Sequence, residues 1–324
     1  MPVSLPRDRD PQFSIFSAMK TFIADRFLRL LVVVIGAAIM AFALLRLSGD
    51  PSTVLLPIFA TPGERAQLRH QYGLDQPLPI QFVDYTFSIL HGNFGQSWQY
   101  RQPALQVVLD RFPNTLELAG ISMGVAVVIG VALGVIGAAR SGGVIDSLLT
   151  TVSLVARAIP SFWLGTLFIL FFSLKLRWLP TSGIGGLSHL VLPALTIAFL
   201  FIGEVAAVVR ASMVEALHTD YVRAALAKGL PTRTILLRHA LRNALNPVIS
   251  VVAVDFGVLL GGTVIVENVF AWPGIGTLAV QSVGATDYPV LQAIVLLLAL
   301  SVAVVSTAAD IVYGLVDPRI RRAV

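Results

Sequence analysis

The chain has 324 residues, of which 56% are hydrophobic and only 13% are charged. Soluble domains carry roughly a quarter charged residues, so this composition excludes an ordinary soluble globular protein. The formal net charge is +5, but the basic residues lie between apolar runs and form no single stripe, which excludes nucleic-acid binding. There is no cysteine, so disulfides and thiolate metal sites are excluded too.

Six apolar stretches are long enough to cross the hydrocarbon layer of a membrane, which takes about 20 helical residues. Because lipid offers the backbone no hydrogen-bond partner, we expect each stretch to form a helix. Pro160 and Pro193 lie inside two of them and are candidate breaks. We therefore predict an all-α integral membrane protein with about six transmembrane helices, at residues 28–47, 114–139, 148–173, 190–211, 247–266 and 290–314.

The distribution of basic residues predicts that both termini lie in the cytoplasm. This N-in/C-in orientation places 15 of the 23 basic residues on the cytoplasmic side, and the two short outer loops hold only Lys175 and Arg177. The chain then divides into a cytoplasmic tail (1–27), the first helix (28–47), an outer insertion (48–113), a transmembrane core (114–314) with a cytoplasmic loop at 212–246, and a cytoplasmic tail (315–324).

Small residues four positions apart recur in the apolar stretches. Such pairs let two helix backbones approach closely, so we predict that they mark helix contacts within the bundle, with a dimer seam as the alternative. The pairs are Gly120 and Gly124, Gly130 and Gly134, and Gly257 and Gly261.

The cytoplasmic loop 212–246 is predicted to hold two short helices. Asp220 is the expected N-cap of a helix over Tyr221–Lys228. Gly229 follows where a helix C-terminus favours a left-handed residue. A second helix is expected from Thr232, and Pro247 is expected to begin the next transmembrane span.

One face of the first of these short helices combines small and apolar side chains. A small apolar face on an exposed helix requires a partner groove, although an ordinary solvated loop with cytoplasmic positive charge is the alternative. The residues at helical spacing are Leu217, Tyr221, Ala224, Ala225 and Lys228.

The stretch 220–230 resembles the coupling-helix signature of ABC importer permeases. Arg223, Ala224, Ala225 and Gly229 occupy the signature positions, and Arg223 replaces the usual glutamate, as in the branch that handles peptides and nickel. Further segments resemble the same branch, in the same order along the chain: 49–51, 72–82, 92–97, 159–165, 269–276 and 317–321.

The resemblance implies the type I importer-permease fold and a multi-pass subunit in a bacterial inner membrane, with its outer insertion in the periplasm. The expected partners, besides membrane lipid, are a second, related permease that makes a heterodimer, two ATPase subunits and a periplasmic solute-binding protein. The coupling residues would be Asp220, Tyr221, Arg223, Ala224, Ala225, Lys228 and Gly229.

The sequence itself predicts that the chain is not an ATPase. A phosphate-binding loop needs a Gly-Lys pair followed by Ser or Thr, and none of the three lysines, Lys20, Lys175 and Lys228, has that context. We therefore expect no cofactor on this chain, with ATP and Mg²⁺ held by the partner ATPases.

The cargo expected from the resemblance is a di- or oligopeptide. The branch also handles glutathione, nickel chelates and some oligosaccharides, which stay open as alternatives. A secondary transporter is a more distant alternative. It favours internal repeats, and no two halves of this sequence correspond.

Arg157, Glu204 and Asp255 lie inside predicted spans, where ionisable side chains are candidates for function. Counting about 1.5 Å per residue from the cytoplasmic ends gives them similar depths, so we expect them to meet. With Ser161 they are candidates for lining a translocation path, in which Arg157 would bind a peptide carboxylate. The alternative is a structural ion-pair network.

Overall fold

The computed structural model describes residues 26, 28–43, 61–71 and 73–316. These residues form helices joined by short connections, and the described part of the chain has no β-strand beyond one isolated bridge between Gln96 and Pro103. The prediction of an all-α protein is therefore confirmed.

Twelve helices are numbered here in chain order within the described residues. They are α1 (Leu28–Ala43), α2 (Pro62–Gln71), α3 (Leu78–Leu90), α4 (Ala104–Ala139), α5 (Val144–Ala158), α6 (Ser161–Lys175), α7 (Leu187–Leu217), α8 (Asp220–Ala227), α9 (Thr232–Gly262), α10 (Val264–Val269), α11 (Ile275–Gly284) and α12 (Tyr288–Val316). The last turns of α6 and the turns of α9 at 235–240 widen into π-helix.

Four of these helices, α4, α7, α9 and α12, are long and apolar enough to cross a membrane. A fifth span is formed by α5 and α6 together, which are bent by 100° relative to each other. The described part of α1 is shorter, and residues 44–47 of the predicted first span lie outside the described residues. The count of six spans, the tails and the side of the membrane on which the insertion lies stay predictions.

The predicted span over 148–173 is broken at Pro160, one of the two candidate breaks. The helix breaks at Ile159 and Pro160, where Ile159 is extended with ψ 123°. Proline lacks the N–H that a helix needs and disfavours helical geometry in the residue before it, which explains the break. Pro193, the other candidate break, lies inside the continuous helix α7.

The predicted boundaries around the loop 212–246 also need correction. Residues 212–217 complete α7, and α9 runs unbroken from Thr232 to Gly262, so Pro247 lies within a helix and does not begin one. The helix ends at Gly262 rather than at the predicted residue 266. The predicted insertion 48–113 ends too late, because residues 104–113 belong to α4.

The bundle is built around α4 and α7, which run side by side in the same direction. A Cβ atom added to Gly130 would lie 2.7 Å from Val205 Cβ, and one added to Gly134 would lie 2.6 Å from Val209 Cβ. This pair therefore marks a close helix contact, as predicted. The contacts predicted within the bundle at Gly120 and Gly124 are absent, because a Cβ there would have no neighbour within 4 Å among the described residues; a dimer seam there stays a prediction.

The remaining glycine pair gives a divided result. A Cβ added to Gly257 would lie 3.7 Å from Val302, which is an ordinary packing distance. At Gly261 a Cβ would meet nothing within 4 Å in the described part of the chain. The close approach predicted for this pair is therefore absent at Gly261.

The segment before α4 contains a helix with a capping box. Thr61 donates from its N–H to Glu64 Oε2 at 2.8 Å, and the Glu64 N–H donates to Thr61 Oγ1 at 3.3 Å. Pro62 follows Thr61 as the first residue of α2, a position where its missing N–H costs nothing. The hydrogen bonds from Thr61 lower the pKa of Glu64 below its usual value.

Candidate functional site

The α8 helix lies between α7 and α9 at one end of the bundle, which we call the α8 end. It begins at Asp220 with Thr219 in the N-cap position, so the prediction of Asp220 as N-cap is wrong by one residue. The Asp220 carboxylate instead extends into solvent, 3.6 Å from the exposed guanidinium of Arg223. Such an exposed pair contributes little to stability.

The C-terminus of α8 has the geometry that the sequence predicted. Gly229 has a φ of +75°, in the left-handed region that favours glycine. Its N–H donates to Leu226 O at 2.9 Å, and the Leu230 N–H donates to Ala225 O at 3.3 Å. These two bonds form a Schellman cap, which ends the helix and fixes the direction of the following chain.

The inner face of α8 is formed by Val222 and Ala225, which are 1% and 7% exposed. They pack against Ile235 of α9 and Leu217 of α7. The prediction that Ala225 shares one exposed face with Tyr221 and Ala224 is therefore wrong. Ala225 lies one turn after Val222 and faces inward with it.

The outer face of α8 is exposed and mixes apolar with charged side chains. Tyr221 and Leu226 are 41% and 55% exposed. An apolar surface on a helix that is otherwise solvated favours a docking role. The other exposed residues are Asp220, Arg223, Ala224, Ala227, Lys228, Gly229 and Leu230.

A hydrogen bond and two helix connections tie α8 to the membrane core. Asn243 of α9 donates from Nδ2 to Tyr221 Oη at 2.6 Å. Two residues separate α7 from α8, and four separate α8 from the unbroken helix α9. A displacement of α8 is therefore transmitted directly to both α7 and α9.

The three charged residues predicted to meet do lie together. Arg157 Nη2 of α5 is 3.4 Å from Glu204 Oε2 of α7, with side chains that are 54% and 32% exposed. Asp255 of α9 is close enough for its charge to interact with both. The charged cluster of Arg157, Glu204 and Asp255 thus contains one ion pair, which joins α5 to α7, and a third residue on α9 that forms no ion pair within the described chain.

Gly203 explains why Arg157 and Glu204 can pair. A Cβ at this position would lie 3.0 Å from the Ser153 carbonyl oxygen, so only glycine lets α7 approach α5 this closely. A cavity of about 110 Å³ opens beside Arg157 and is lined also by Ser153 and Gly203. The sequence analysis did not single out Gly203, whose neighbour Ser153 lies on a different helix.

Ser161, the fourth predicted path residue, is the first residue of α6 and is partly exposed at the break. Among the described residues it makes no hydrogen bond to the charged cluster. The structure therefore places Ser161 at the bend and not inside the cluster.

A second ion pair, missed by the sequence analysis, lies nearer the α8 end. Arg210 of α7 donates from Nε to Asp146 Oδ1 and from Nη2 to Asp146 Oδ2, the latter at 2.6 Å. The Gly142 N–H donates to the same carboxylate at 2.9 Å. Asp146 is 4% exposed, so this bidentate pair fastens the start of α5 to the end of α7.

The opposite end of the bundle contains a fully buried carboxylate that the sequence analysis also missed. Glu267 Oε1 accepts hydrogen bonds from Thr115 Oγ1 at 2.8 Å and Thr263 Oγ1 at 3.1 Å. Its Oε2 accepts from the N–H groups of Gly276 at 2.7 Å and Thr277 at 3.1 Å, at the start of α11. This network joins α4, α10 and α11.

The glycines of the segment 269–276 are explained by this carboxylate. A Cβ at Gly274 would overlap the Glu267 carboxylate, and one at Gly276 would lie 2.5 Å from Val264 Cα. The buried indole of Trp272 donates to Asn114 O at 2.9 Å, and Asn114 Nδ2 donates to Pro273 O at 2.8 Å. The segment is therefore pinned to the start of α4.

Asp287, a second fully buried carboxylate, holds the segment 92–97. Its Oδ2 accepts from Ser97 Oγ at 2.5 Å, and its two oxygens accept from the N–H groups of Trp98 and Gln99 at 3.2 Å. The Trp98 ring also packs edge-on against Tyr288, with centroids 5.5 Å apart. The turn before α12 thus fixes the chain that leads into α4.

An apolar helical bundle that carries charged side chains within its spans is typical of membrane transport proteins. The model of the family described as "Binding-protein-dependent transport system inner membrane component" matches residues 130–322. The model of the corresponding N-terminal region matches residues 19–119. The chain belongs to this family, whose members are membrane permease subunits of ABC importers that work with ATPase and solute-binding proteins.

Curated relatives match over nearly the whole chain. The "Probable peptide ABC transporter permease protein" of Sinorhizobium fredii is 38% identical over 312 residues, covering 94% of this chain and all of the relative. The di/tripeptide transport system permease of Pseudomonas aeruginosa is 37% identical, and the glutathione transport system permease of Salmonella typhimurium is 38% identical; each comparison covers 94% of this chain and 99% of the relative.

Solved structures support the fold. A chain of the MetNI methionine ABC transporter in an inward-facing conformation matches with a TM-score of 0.55 and 19% identity, covering 65% of this chain and 97% of that chain. A second inward-facing crystal form of the same transporter gives a TM-score of 0.55 and 21% identity. The chain therefore has the fold of ABC importer permeases, as the sequence predicted.

Proposed function

We propose that this chain forms half of the translocation pathway of an ATP-driven importer that carries peptides. The observation that carries the proposal is the position of α8, which is exposed on its outer face and joined directly to the two helices that hold Glu204 and Asp255. The names of relatives that match end to end support a peptide cargo.

The proposed partners supply what this chain lacks. A second, related permease completes the pathway as a heterodimer, and two ATPase subunits bind and hydrolyse ATP with Mg²⁺. A solute-binding protein in the periplasm delivers the cargo. The subunit itself is non-catalytic, binds no cofactor, and lies in a bacterial inner membrane with both termini in the cytoplasm.

The exposed residues of α8 are the proposed contact with an ATPase subunit. Tyr221 and Ala224 present a shallow apolar surface, and Arg223 and Lys228 flank it with positive charge. Ala225 contributes from within, because it holds α8 against Ile235. Asp220 and Gly229 mark the two ends of this surface.

The charged cluster and Ser161 are the proposed lining of the pathway. Non-helical backbone at membrane depth is tolerated where it is buried in protein or borders a water-filled cavity. The break at Ile159 and Pro160 follows Arg157 directly, and Pro160 is exposed. A half-exposed ion pair beside an exposed break favours an aqueous path over lipid contact.

Glutathione is the second candidate cargo, because a glutathione permease is as similar to this chain as the peptide permeases are. Glutathione is itself a small peptide with free charged ends. Both cargoes therefore fit the same proposal, and the solute-binding protein determines which of the two is delivered.

The proposal predicts the composition of the complex. The C-terminally tagged chain, expressed with its neighbouring genes and extracted in mild detergent, should retain a second permease and ATPase subunits, identified by mass spectrometry. The same complex in liposomes with its binding protein should import peptide only when ATP is supplied. A chain that is purified alone and transports without ATP would contradict the proposal.

A further inference from the structure

The charged cluster has an unbalanced charge. Arg157 and Glu204 form an ion pair at 3.4 Å and neutralise each other. Asp255 is the third member, so the cluster holds one positive and two negative groups. Asp255 Oδ2 is buried, and within the part of the chain that the structure describes it accepts no hydrogen bond.

The described part of the chain supplies no hydrogen-bond donor to Asp255 Oδ2. Leaving a buried acceptor without a partner is costly, and ionisable groups inside spans are normally paired. Two arginines of the described bundle are already engaged, Arg157 by Glu204 and Arg210 by both oxygens of Asp146. The missing donor is therefore expected from outside this set of residues.

We propose that Asp255, with Glu204 beside it, binds a cationic side chain of the cargo, a lysine ammonium or an arginine guanidinium, as it passes along the pathway. Asp255 is then a specificity-determining residue that favours positively charged peptides over negatively charged ones. This inference rests on the proposed transport function. It reverses the expectation that Arg157 binds a peptide carboxylate, because the Arg157 charge is already balanced by Glu204.

The surroundings of the cluster fit a site for a passing ligand. The Arg157 side chain is 54% exposed and Glu204 is 32% exposed. Asp255 as a whole is partly exposed, although its Oδ2 is buried, so all three residues border open space. Asp255 lies on α9, whose first turns pack against α8 through Ile235. The same helix thus carries the proposed cargo contact and the connection to the ATPase contact.

The test compares uptake of three tripeptides of equal length, Ala-Ala-Lys, Ala-Ala-Ala and Ala-Ala-Glu, by the full transporter in proteoliposomes. The binding protein also selects among the peptides. Each peptide is therefore compared between the wild-type transporter and Asp255→Asn with the same binding protein, so its preference affects both measurements equally. Loss of a charge-assisted hydrogen bond should lower uptake of the lysine peptide about tenfold. Uptake of the glutamate peptide should stay unchanged or rise.

A second variant separates this proposal from carboxylate binding at Arg157. Arg157→Gln removes the positive charge and leaves both acids. Uptake of the lysine peptide should therefore be retained. Uptake of the glutamate peptide should fall no more than uptake of trialanine. A selective loss of the glutamate peptide would overturn the inference. So would an equal loss of all three peptides in Asp255→Asn, which would indicate a structural role or a contact with the second permease. Trialanine uptake by the wild-type transporter that stops when ATP is withheld shows that the transport function itself stands.

Discussion

Replacing Gly229 with valine is expected to leave the permease in the membrane in normal amounts and to abolish ATP-driven peptide uptake. Gly229 has a φ of +75°, and a β-branched residue in this region is a strong outlier. A Cβ here would meet nothing within 4 Å in the described chain, so the effect comes from the backbone alone. The valine costs about 1–2 kcal/mol locally and releases the cap that ends α8. The measurement is uptake together with ATP hydrolysis by the reconstituted complex.

The matched control for this prediction is Gly229→Asn. Asparagine tolerates the left-handed region and commonly takes the glycine position in this cap, so it should keep most of the uptake. Normal uptake in the valine variant would remove α8 from the coupling path. An asparagine variant as inactive as the valine variant would show that the side chain, and not the backbone, is responsible.

Replacing Glu267 with alanine is expected to destabilise the folded permease strongly, so that most of the protein no longer folds. Glu267 is fully buried and accepts four hydrogen bonds, two of them from the backbone N–H groups that begin α11. Without the carboxylate these donors lose their partner, at about 1–3 kcal/mol for each buried group left unsatisfied. The temperature at which the detergent-extracted protein loses its single peak in size-exclusion chromatography measures the loss.

Glu117→Ala provides the control in the same part of the bundle. Glu117 is exposed and lies two residues after Thr115, which donates to Glu267. Its removal should leave the transition temperature close to that of wild type. Equal behaviour of the two alanine variants would mean that the Glu267 network does not support the fold.

Features set by neighbouring residues could be predicted from the sequence. The left-handed conformation of Gly229 follows from its place after an amphipathic segment, and the break after Ile159 has its local cause in Pro160. The angle of that break could not be predicted, because it depends on how α6 packs. The proximity of Arg157 and Glu204 followed from helical rise alone, since both lie at comparable depth in their spans.

Features set by distant residues were missed or misplaced. Glu267 bonds to Thr115, 152 positions earlier, and Asp287 bonds to Ser97 across 190 positions. Helical spacing alone could not tell which side of α8 faces the bundle, because Ile235, which buries Ala225, belongs to another helix. The two signature segments 92–97 and 269–276 marked both places, yet the acids that hold them lie at positions the patterns did not include.

The central claim is that the outer face of α8 contacts an ATPase subunit, and the absence of native cysteine allows a direct measurement. A cysteine at exposed Ala224 and one at Ala225, which is 7% exposed, are compared in the assembled complex with a short bifunctional thiol-to-amine reagent. The account predicts a cross-link from position 224 to an ATPase subunit that changes in yield when ATP binds, and little or none from position 225. If the cysteine at position 224 forms no cross-link to an ATPase subunit in a complex that hydrolyses ATP and imports peptide, the result contradicts the account.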